Sequence, residues 1–298
     1  THVIVRDFRP QQVLEAIQNE KVTIGAMVPA MVNTLLHYPD ADKYDTSAWE
    51  RMIIGGAPVP ISIAREAQEK FGVVCYQAYG MTETCPMLTL ATLKDNLKKL
   101  PFEEQLAYRA KTGKPVFGVE LRVVDENGKD IEPNGEDVGE IIVRGNNVMK
   151  GFWQDPEATA KVIIDGWMHT GDIANIDKEG YVQIVDRGKD MIISGGENVA
   201  SAEVEMAIYK FPAVMECAVI GVPDPKWGEA VKALVVLKPD MQATEKEIID
   251  HCSTILSKFK LPRTVDFVSE LPKTGTGKIL KRELREKHWA GQERKIGG

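Results

Sequence analysis

The sequence has little of what several common functions need. It has only four cysteines, Cys75, Cys85, Cys217 and Cys252, and none forms a CxxC pair, so structural zinc and thioredoxin-type chemistry lack their ligand spacing. Reduced thiols of a cytoplasmic protein are the simplest reading. Five histidines show no HExxH or similar pattern. No apolar run approaches the roughly 20 residues a membrane helix requires. Basic charge is not in excess: the net charge is −7, which argues against nucleic acid as a partner because that needs a basic footprint. There is no internal repeat and no low-complexity tract.

What is present fits a folded protein with substantial cores. The 298 residues are 43% hydrophobic and 27% charged, enough for one large domain or two smaller ones. "HVIVRD" reads as a strand, and "PQQVLEAIQNE" as a helix with Pro10 at its first position and Val13, Leu14 and Ile17 on one face. "KVTIGAMV", "RMIIGGAP" and "VVCYQAYG" read as strands, interleaved with the helices "PAMVNTLLHY" and "PISIAREAQEKF". This alternation predicts a mostly parallel sheet with helices on its faces over residues 1–112. "THVIVRDF" resembles a strand at the very start, so the chain is expected to be the later part of a longer protein.

The pattern changes twice. The segment 91–115 is charged and helix-prone, a surface connection whose lysines are expected to form a solvated face. Asn127-Gly128 in "VELRVVDENGKDI" signals a hairpin, and Gly-bearing turns continue an antiparallel pattern, giving a small β subdomain over 113–188. "DRGKD" is the linker candidate. Residues 189–298 then read as a small α+β domain, with a capping box of Thr244 and Glu247 opening "EKEIIDHCSTILS". The fold class is therefore α/β followed by α+β.

"PKTGTGK", residues 272–278, looks like a phosphate-binding loop but is not a Walker loop. Pro272 stands where its first glycine must be, and Ile279 replaces the magnesium-binding hydroxyl. A flexible Gly/Thr turn before the basic helix "KILKRELREKHW" would explain the stretch without function. Three other stretches carry chemistry. "YQAYGMTET" places an aromatic ring, a glycine, a hydroxyl and a carboxylate at a strand exit, where open α/β sheets bind ligands. "GWMHTGDIANIDKEGYVQIVDRGKD" sets Asp172 after a tight Thr-Gly turn and Arg187 at the end of the next hairpin. That pair suits ribose hydroxyls, though a surface ion pair would use the same residues. "SGGENV" is a paired-glycine turn that lets a thin ligand or another backbone approach closely.

In this order and spacing, "YGMTE", "TGD", "DRGKDMI", "SGGENV" and "PKTGTGK" resemble the landmarks of the adenylate-forming superfamily, which includes acyl-CoA synthetases, aryl-CoA ligases and peptide-synthetase adenylation domains. The resemblance covers nearly the whole chain. It implies ATP-dependent activation of a carboxylic acid to an acyl-adenylate, then transfer to coenzyme A, with Mg2+ as the metal. It further implies that Gly56, Ala57 and Pro58 line the adenine site, that Tyr79 stacks on adenine with Gln77 and Gly80 beside it, and that Thr82 contacts the α-phosphate. Glu83 would hold Mg2+, Asp172 and Arg187 the ribose, and Lys278 would be the mobile lysine of adenylation. A rotation of the small C-terminal domain about Lys189 would then present Ser194, Gly195 and Gly196 to the pantetheine arm.

The family's own Ser/Thr/Gly-rich phosphate loop is absent and is expected upstream of Thr1, so this chain alone is expected not to adenylate. Ile193 stands where some relatives have lysine, which leaves coenzyme A contacts there open. The style of the sequence resembles fatty acyl-CoA ligases for medium or long chains; aryl and short-chain acids remain alternatives. A non-catalytic nucleotide- or CoA-binding fragment is the competing class, against which the landmark residues keep the chemical types their roles require.

Overall fold

Helix α1 (Pro10–Glu20) opens the regular structure in the computed structural model, which describes residues 1–274 and 279–289. Pro10 supplies its first position, and Val13, Leu14 and Ile17 form the buried stripe. Strands β1 (Ile24–Met27), β2 (Arg51–Ile54) and β3 (Val74–Tyr79) follow, separated by α2 (Pro29–Leu36) and α3 (Ile61–Phe71). These three strands are parallel neighbours, with Met27 opposite Ile54 and Ile54 opposite Gln77. Their carboxyl ends therefore share one edge. Short antiparallel strands β4 (Thr89–Leu90) and β5 (Lys114–Pro115) complete the sheet in the order β1-β2-β3-β4-β5. The core between sheet and helices contains Leu14, Leu35, Trp49, Met52, Ile54 and Phe71.

Residues 2–7 do not form the expected strand, and Ile4 is 87% exposed. The apolar run Val3-Ile4-Val5 is strand-like, but a strand exists only through a lateral ladder, and among the described residues none pairs with this segment. The connection 91–115 is also more than a solvated face. Helix α4 (Phe102–Arg109) lies within it. Leu93 and Leu97 pack against Tyr181, whose hydroxyl donates to Thr92 O (2.7 Å) and accepts from Lys94 N (3.1 Å). Lys94 and Lys111 pair with Glu179 and Asp177.

The second sheet is built from β6 (Val119–Val124), β7 (Gly139–Gly145), β8 (Ile163–Ile164), β9 (Trp167–Ile176) and β10 (Val182–Arg187), in the order β10-β9-β7-β6, with α5 (Pro156–Val162) before β8. The turn after β6 closes where expected: Asp125 Oδ1 accepts from the N–H groups of Asn127 and Lys129, and Gly128 takes φ +74°. Val123, Ile141, Val143, Met168 and Val182 form its core.

The chain divides into two compact units, Thr1–Thr170 with Ala174–Ile184, and Gly171–Ile173 with Val185–Gly298. In the second, β11 (Ile192–Ser194), β12 (Glu197–Val199), β13 (Val214–Asp224), β14 (Gly228–Leu237) and β15 (Thr264–Phe267) form a sheet of order β12-β11-β14-β13, with β15 parallel to β14. Successive residues of a strand face opposite sides. Cys217 and Val219 of β13 accordingly meet residues of α6 (Ser201–Tyr209) and α7 (Glu245–Ser253), while Ala218 and Ile220 meet Leu284 of α8 (Lys281–Trp289). The capping box at α7 is present, with Glu247 Oε2 accepting from Thr244 N at 2.8 Å. All four cysteines are free, and burial pushes the Cys75 thiol up to about 12 and that of Cys252 to about 11. No helix among the described residues is long and apolar enough to cross a membrane.

Candidate active site

Two groups of the residues singled out from sequence form, one in each unit. In the first, the loop after β2 and the loop after β3 leave the same edge of the parallel strands. Gly56, Ala57 and Pro58 are exposed on the β2 loop, and Gly56 adopts φ +86°, which suits glycine. Gln77 is 6% exposed and its Oε1 accepts from Val59 N at 3.1 Å. A buried side chain of β3 thus braces the backbone of the β2 loop. Tyr79 ends β3, packs partly buried against Leu88 and its neighbours, and its carbonyl accepts from Leu88 N at 2.8 Å.

Gly80 is required by contact rather than by conformation. A Cβ there would stand 1.7 Å from the carbonyl oxygen of Pro86, so the loop folds directly over it. A 3-10 turn, Thr82–Thr84, carries the hydroxyl and the carboxylate. Thr84 is buried; its Oγ1 accepts from Met81 N (3.2 Å) and lies within reach of the Met81 and Pro86 carbonyls (3.0 and 3.2 Å). With Thr84 turned inward, Thr82 is exposed and Glu83 only partly buried. The edge so built offers an aromatic ring, a hydroxyl and a carboxylate on a rigid loop.

In the second unit, Asp172 is 4% exposed and Arg187 Nε lies 3.3 Å from its Oδ1. The expected Thr-Gly turn before Asp172 is instead a kink inside the continuous strand β9: Gly171 has φ +72°, and its carbonyl accepts from Gly188 N at 2.9 Å. Gly188 and Gly171 therefore hold the two strand segments together, which sets Arg187 beside Asp172. Lys189 is exposed and follows directly, while the carbonyl of Arg187 accepts from Asp190 N and Met191 N. Ser194 pairs with Glu197, so Gly195 (φ +64°) and Gly196 (φ +85°) make the two-residue hairpin turn whose positive φ values glycine supplies. Gly195 N donates to Trp227 O at 2.8 Å, and a Cβ on Gly195 would meet the Trp227 ring at 2.6 Å. Lys278 lies outside the described residues.

Sequence reasoning missed a buried ionic group in this unit. Lys281 Nζ donates to Ser201 Oγ (2.7 Å) and lies 2.7 Å from Glu205 Oε1; Asp186 accepts from Ser201 N and Arg187 N. Burial raises the Asp186 and Glu205 carboxyls above their ordinary values, opposed by the Lys281 charge. The one legible hint was Asp186 beside Arg187, since its partners lie far away in sequence.

Comparisons with known proteins identify the family. Residues 1–153 match the AMP-binding enzyme family and residues 203–278 its C-terminal domain family. The chain belongs to the AMP-binding enzyme family. A feruloyl-CoA synthase of an Amycolatopsis species is 41% identical over 96% of the chain and 56% of its own length. A peroxisomal trans-cinnamate:CoA ligase of Petunia hybrida is 38% identical over 96% of the chain and 50% of its length. The ATP-bound structure of MatB from Rhodopseudomonas palustris superposes with a TM-score of 0.84 at 36% identity, covering 95% of this chain and 54% of that one. The chain thus spans about half the length of the relatives it matches.

Proposed function

We propose that this AMP-binding enzyme chain is the C-terminal portion of an AMP-forming acid–thiol ligase. The observation that carries the reading is the loop Gly80–Glu83 at the carboxyl edge of parallel strands, in a chain that matches both family domains. In the first half-reaction the substrate carboxylate oxygen attacks the α-phosphorus of ATP, the bond to the bridging oxygen breaks, and pyrophosphate leaves. In the second, the coenzyme A sulfur attacks the acyl carbon, AMP departs and the thiol proton is released. The logic is one of leaving groups: a carboxylate has none, and the mixed anhydride supplies AMP.

Each residue has a role its setting suits. Tyr79 offers a ring face to adenine, with Gly56, Ala57, Pro58 and Gln77 forming the rest of that edge. Thr82 donates to the α-phosphate. Glu83 would hold Mg2+: among the described residues no group of three or more His, Cys, Asp or Glu could cage a metal, and Mg2+ is commonly bound by one or two carboxylates plus substrate phosphates. When bound, the metal neutralises phosphate charge as it builds. Asp172 accepts from the ribose hydroxyls, with Arg187 adding a charge-assisted donor. Lys278 stabilises negative charge in the adenylation step. Ser194, Gly195 and Gly196 receive the pantetheine arm, and Lys189 is the pivot between the half-reactions.

The acid class has two readings. The style of the sequence favours a medium- or long-chain fatty acid. The names of the Amycolatopsis and Petunia relatives favour an aromatic acid, and we take that as the first to test. The assay uses the full-length enzyme containing this chain, with ATP, Mg2+, coenzyme A and acids from acetate to palmitate plus benzoate, cinnamate and ferulate. Thioester and AMP formation on one acid class, with adenylation lost in Lys278→Ala, is the expected result. Tight ATP or coenzyme A binding with no turnover on any acid would overturn it in favour of a non-catalytic binding protein.

A further inference from the structure

A short segment after β7 reaches back and holds the loop that carries Thr82 and Glu83. Asn147 Nδ2 donates to two carbonyls of that loop, Thr84 O at 2.8 Å and Met87 O at 3.1 Å. Both acceptors are oxygens, so the amide group of the carboxamide must face them; the orientation is set by the partners themselves. Two residues on, Met149 N donates to Glu83 O at 2.7 Å. The loop is thus tied at Glu83, Thr84 and Met87 by three hydrogen bonds from one three-residue stretch, 147–149.

The stretch is itself shaped for the contact. A Cβ on Gly145 would stand 2.8 Å from Asn147 Oδ1 and 2.7 Å from Gly118 O. Glycine there leaves the room in which the Asn147 carboxamide lies. On the loop side, Thr84 is fully buried and its hydroxyl is occupied within the loop. The 3-10 turn therefore cannot roll without breaking the Asn147 bonds, and rolling it would swing the neighbouring Glu83 carboxylate.

We propose that Asn147 is a positioning residue for the metal-binding carboxylate: by fixing the Thr84 and Met87 carbonyls it presents Glu83 and Thr82 together, in the geometry that a phosphate-bound Mg2+ requires. This rests on the role of Glu83 proposed above. Partners that orient a metal ligand are commonly worth about 10–100-fold in metal affinity when removed, without themselves touching the metal.

The test uses the full-length enzyme and two variants. Asn147→Asp keeps the shape but turns a carboxylate oxygen toward two carbonyls; Asn147→Ala removes the donors without adding charge. ATP binding is measured by calorimetry with Mg2+ and with EDTA, and the Mg2+ dependence of ATP–pyrophosphate exchange is titrated alongside. Expected in both variants is an Mg2+ midpoint about tenfold higher, ATP affinity about tenfold weaker in Mg2+ and within about twofold of wild type in EDTA. Amide exchange of residues 84–88 should quicken while that of β7 stays as it is. An unchanged Mg2+ midpoint, or ATP affinity lost equally with and without Mg2+, would overturn the proposal. Glu83→Gln separates it from the reading beneath it. If that variant loses its Mg2+ dependence while the Asn147 variants keep theirs, the positioning role alone fails. If Glu83→Gln leaves Mg2+ dependence intact, the role of Glu83 fails, and with it this proposal.

Discussion

Lys281 Nζ lies 2.7 Å from Glu205 Oε1, and both side chains are largely buried. Asp186 adds a second buried carboxyl whose charge also favours the protonated lysine, while burial opposes it; the balance raises Lys281 above its ordinary value. Breaking such a group from one side leaves uncompensated buried charge, which costs about 3–5 kcal/mol. Lys281→Met should destabilise the second unit by that amount in chemical unfolding. Lys281→Met with Glu205→Met should recover only part of the loss: it removes one of the two carboxyls left without their cation, while Asp186 stays buried.

The same variant carries a pH signature. Burial already raises Asp186 above 3.8 and Glu205 above 4.5, and removing Lys281 removes the cation that restrains the rise. A carboxyl whose folded pKa is raised binds more protons folded than unfolded between the two values, so stability falls as pH rises through that window. The melting temperature of Lys281→Met should therefore drop from the ordinary carboxyl range toward neutral pH more steeply than that of the wild type. A drop parallel to the wild type's would show that Lys281 does not control these carboxyls.

What the sequence made legible was local. Strand and helix alternation located β1 to β3 because each helix carries its own apolar stripe and proline start, and the Thr244–Glu247 box marked α7 because a cap is read within four residues. The Gly195-Gly196 turn was legible for the same reason. Residues 2–7 misled because a short apolar run reports a segment able to pair, not the presence of a partner. Gly171 misled because a Thr-Gly pair reads alike as a turn or as a kink in a strand. Asn147 was invisible, and the group around Lys281 nearly so, since their meaning lies in partners brought close only by the fold. Lys94 and Lys111 looked like solvent-facing charge until Tyr181 and its acidic neighbours were placed against them.

Gly80 and Gly72 give a contrast that separates contact from conformation. Gly72 has φ +70° at the end of α3 and nothing within 4 Å of a Cβ, so Gly72→Ala should cost only the left-handed conformation, about 1–2 kcal/mol. Gly80→Ala must displace the Pro86 backbone. It should cost at least about 3 kcal/mol, the upper end of ordinary substitutions, and weaken ATP binding by the full-length enzyme, whereas Gly72→Ala should leave ATP affinity unchanged. Equal effects on ATP affinity would mean that the fold of residues 80–88 over Gly80 does not shape the site.

Tyr181→Phe tests whether the connection 91–115 is held by its hydroxyl. Tyr181 is fully buried, and losing the hydroxyl takes a partner from both Thr92 O and Lys94 N. Thr92 is exposed and Lys94 partly buried, so water can replace the hydroxyl, and two lost hydrogen bonds at about 0.5–1.5 kcal/mol each predict a loss of about 1–3 kcal/mol, with faster amide exchange at Lys94. Stability within about 0.5 kcal/mol of wild type would place the anchoring in the packing of Leu93 and Leu97 instead, a surface-like cost by the usual distribution.

The Asp172–Arg187 pair can be assigned to the ribose by changing the nucleotide as well as the protein. Asp172 is buried and holds Arg187, so Asp172→Asn affects folding and binding together, and a simple loss of ATP affinity would not distinguish them. With 2′-deoxy-ATP, however, the wild type itself would lack the proposed bond from the 2′-hydroxyl to the carboxylate. Hydrogen bonds to charged groups contribute about 1.5–3 kcal/mol, so the wild type should prefer ATP over 2′-deoxy-ATP by about tenfold to a hundredfold, at about 1.4 kcal/mol per factor of ten. In Asp172→Asn that preference should fall to within about threefold, while Arg187→Ala should keep more of it, because under the proposed role the carboxylate, not the arginine beside it, accepts from the 2′-hydroxyl. A variant that binds both nucleotides more weakly but keeps the full preference would show that Asp172 serves the strand kink at Gly171 and not the ribose.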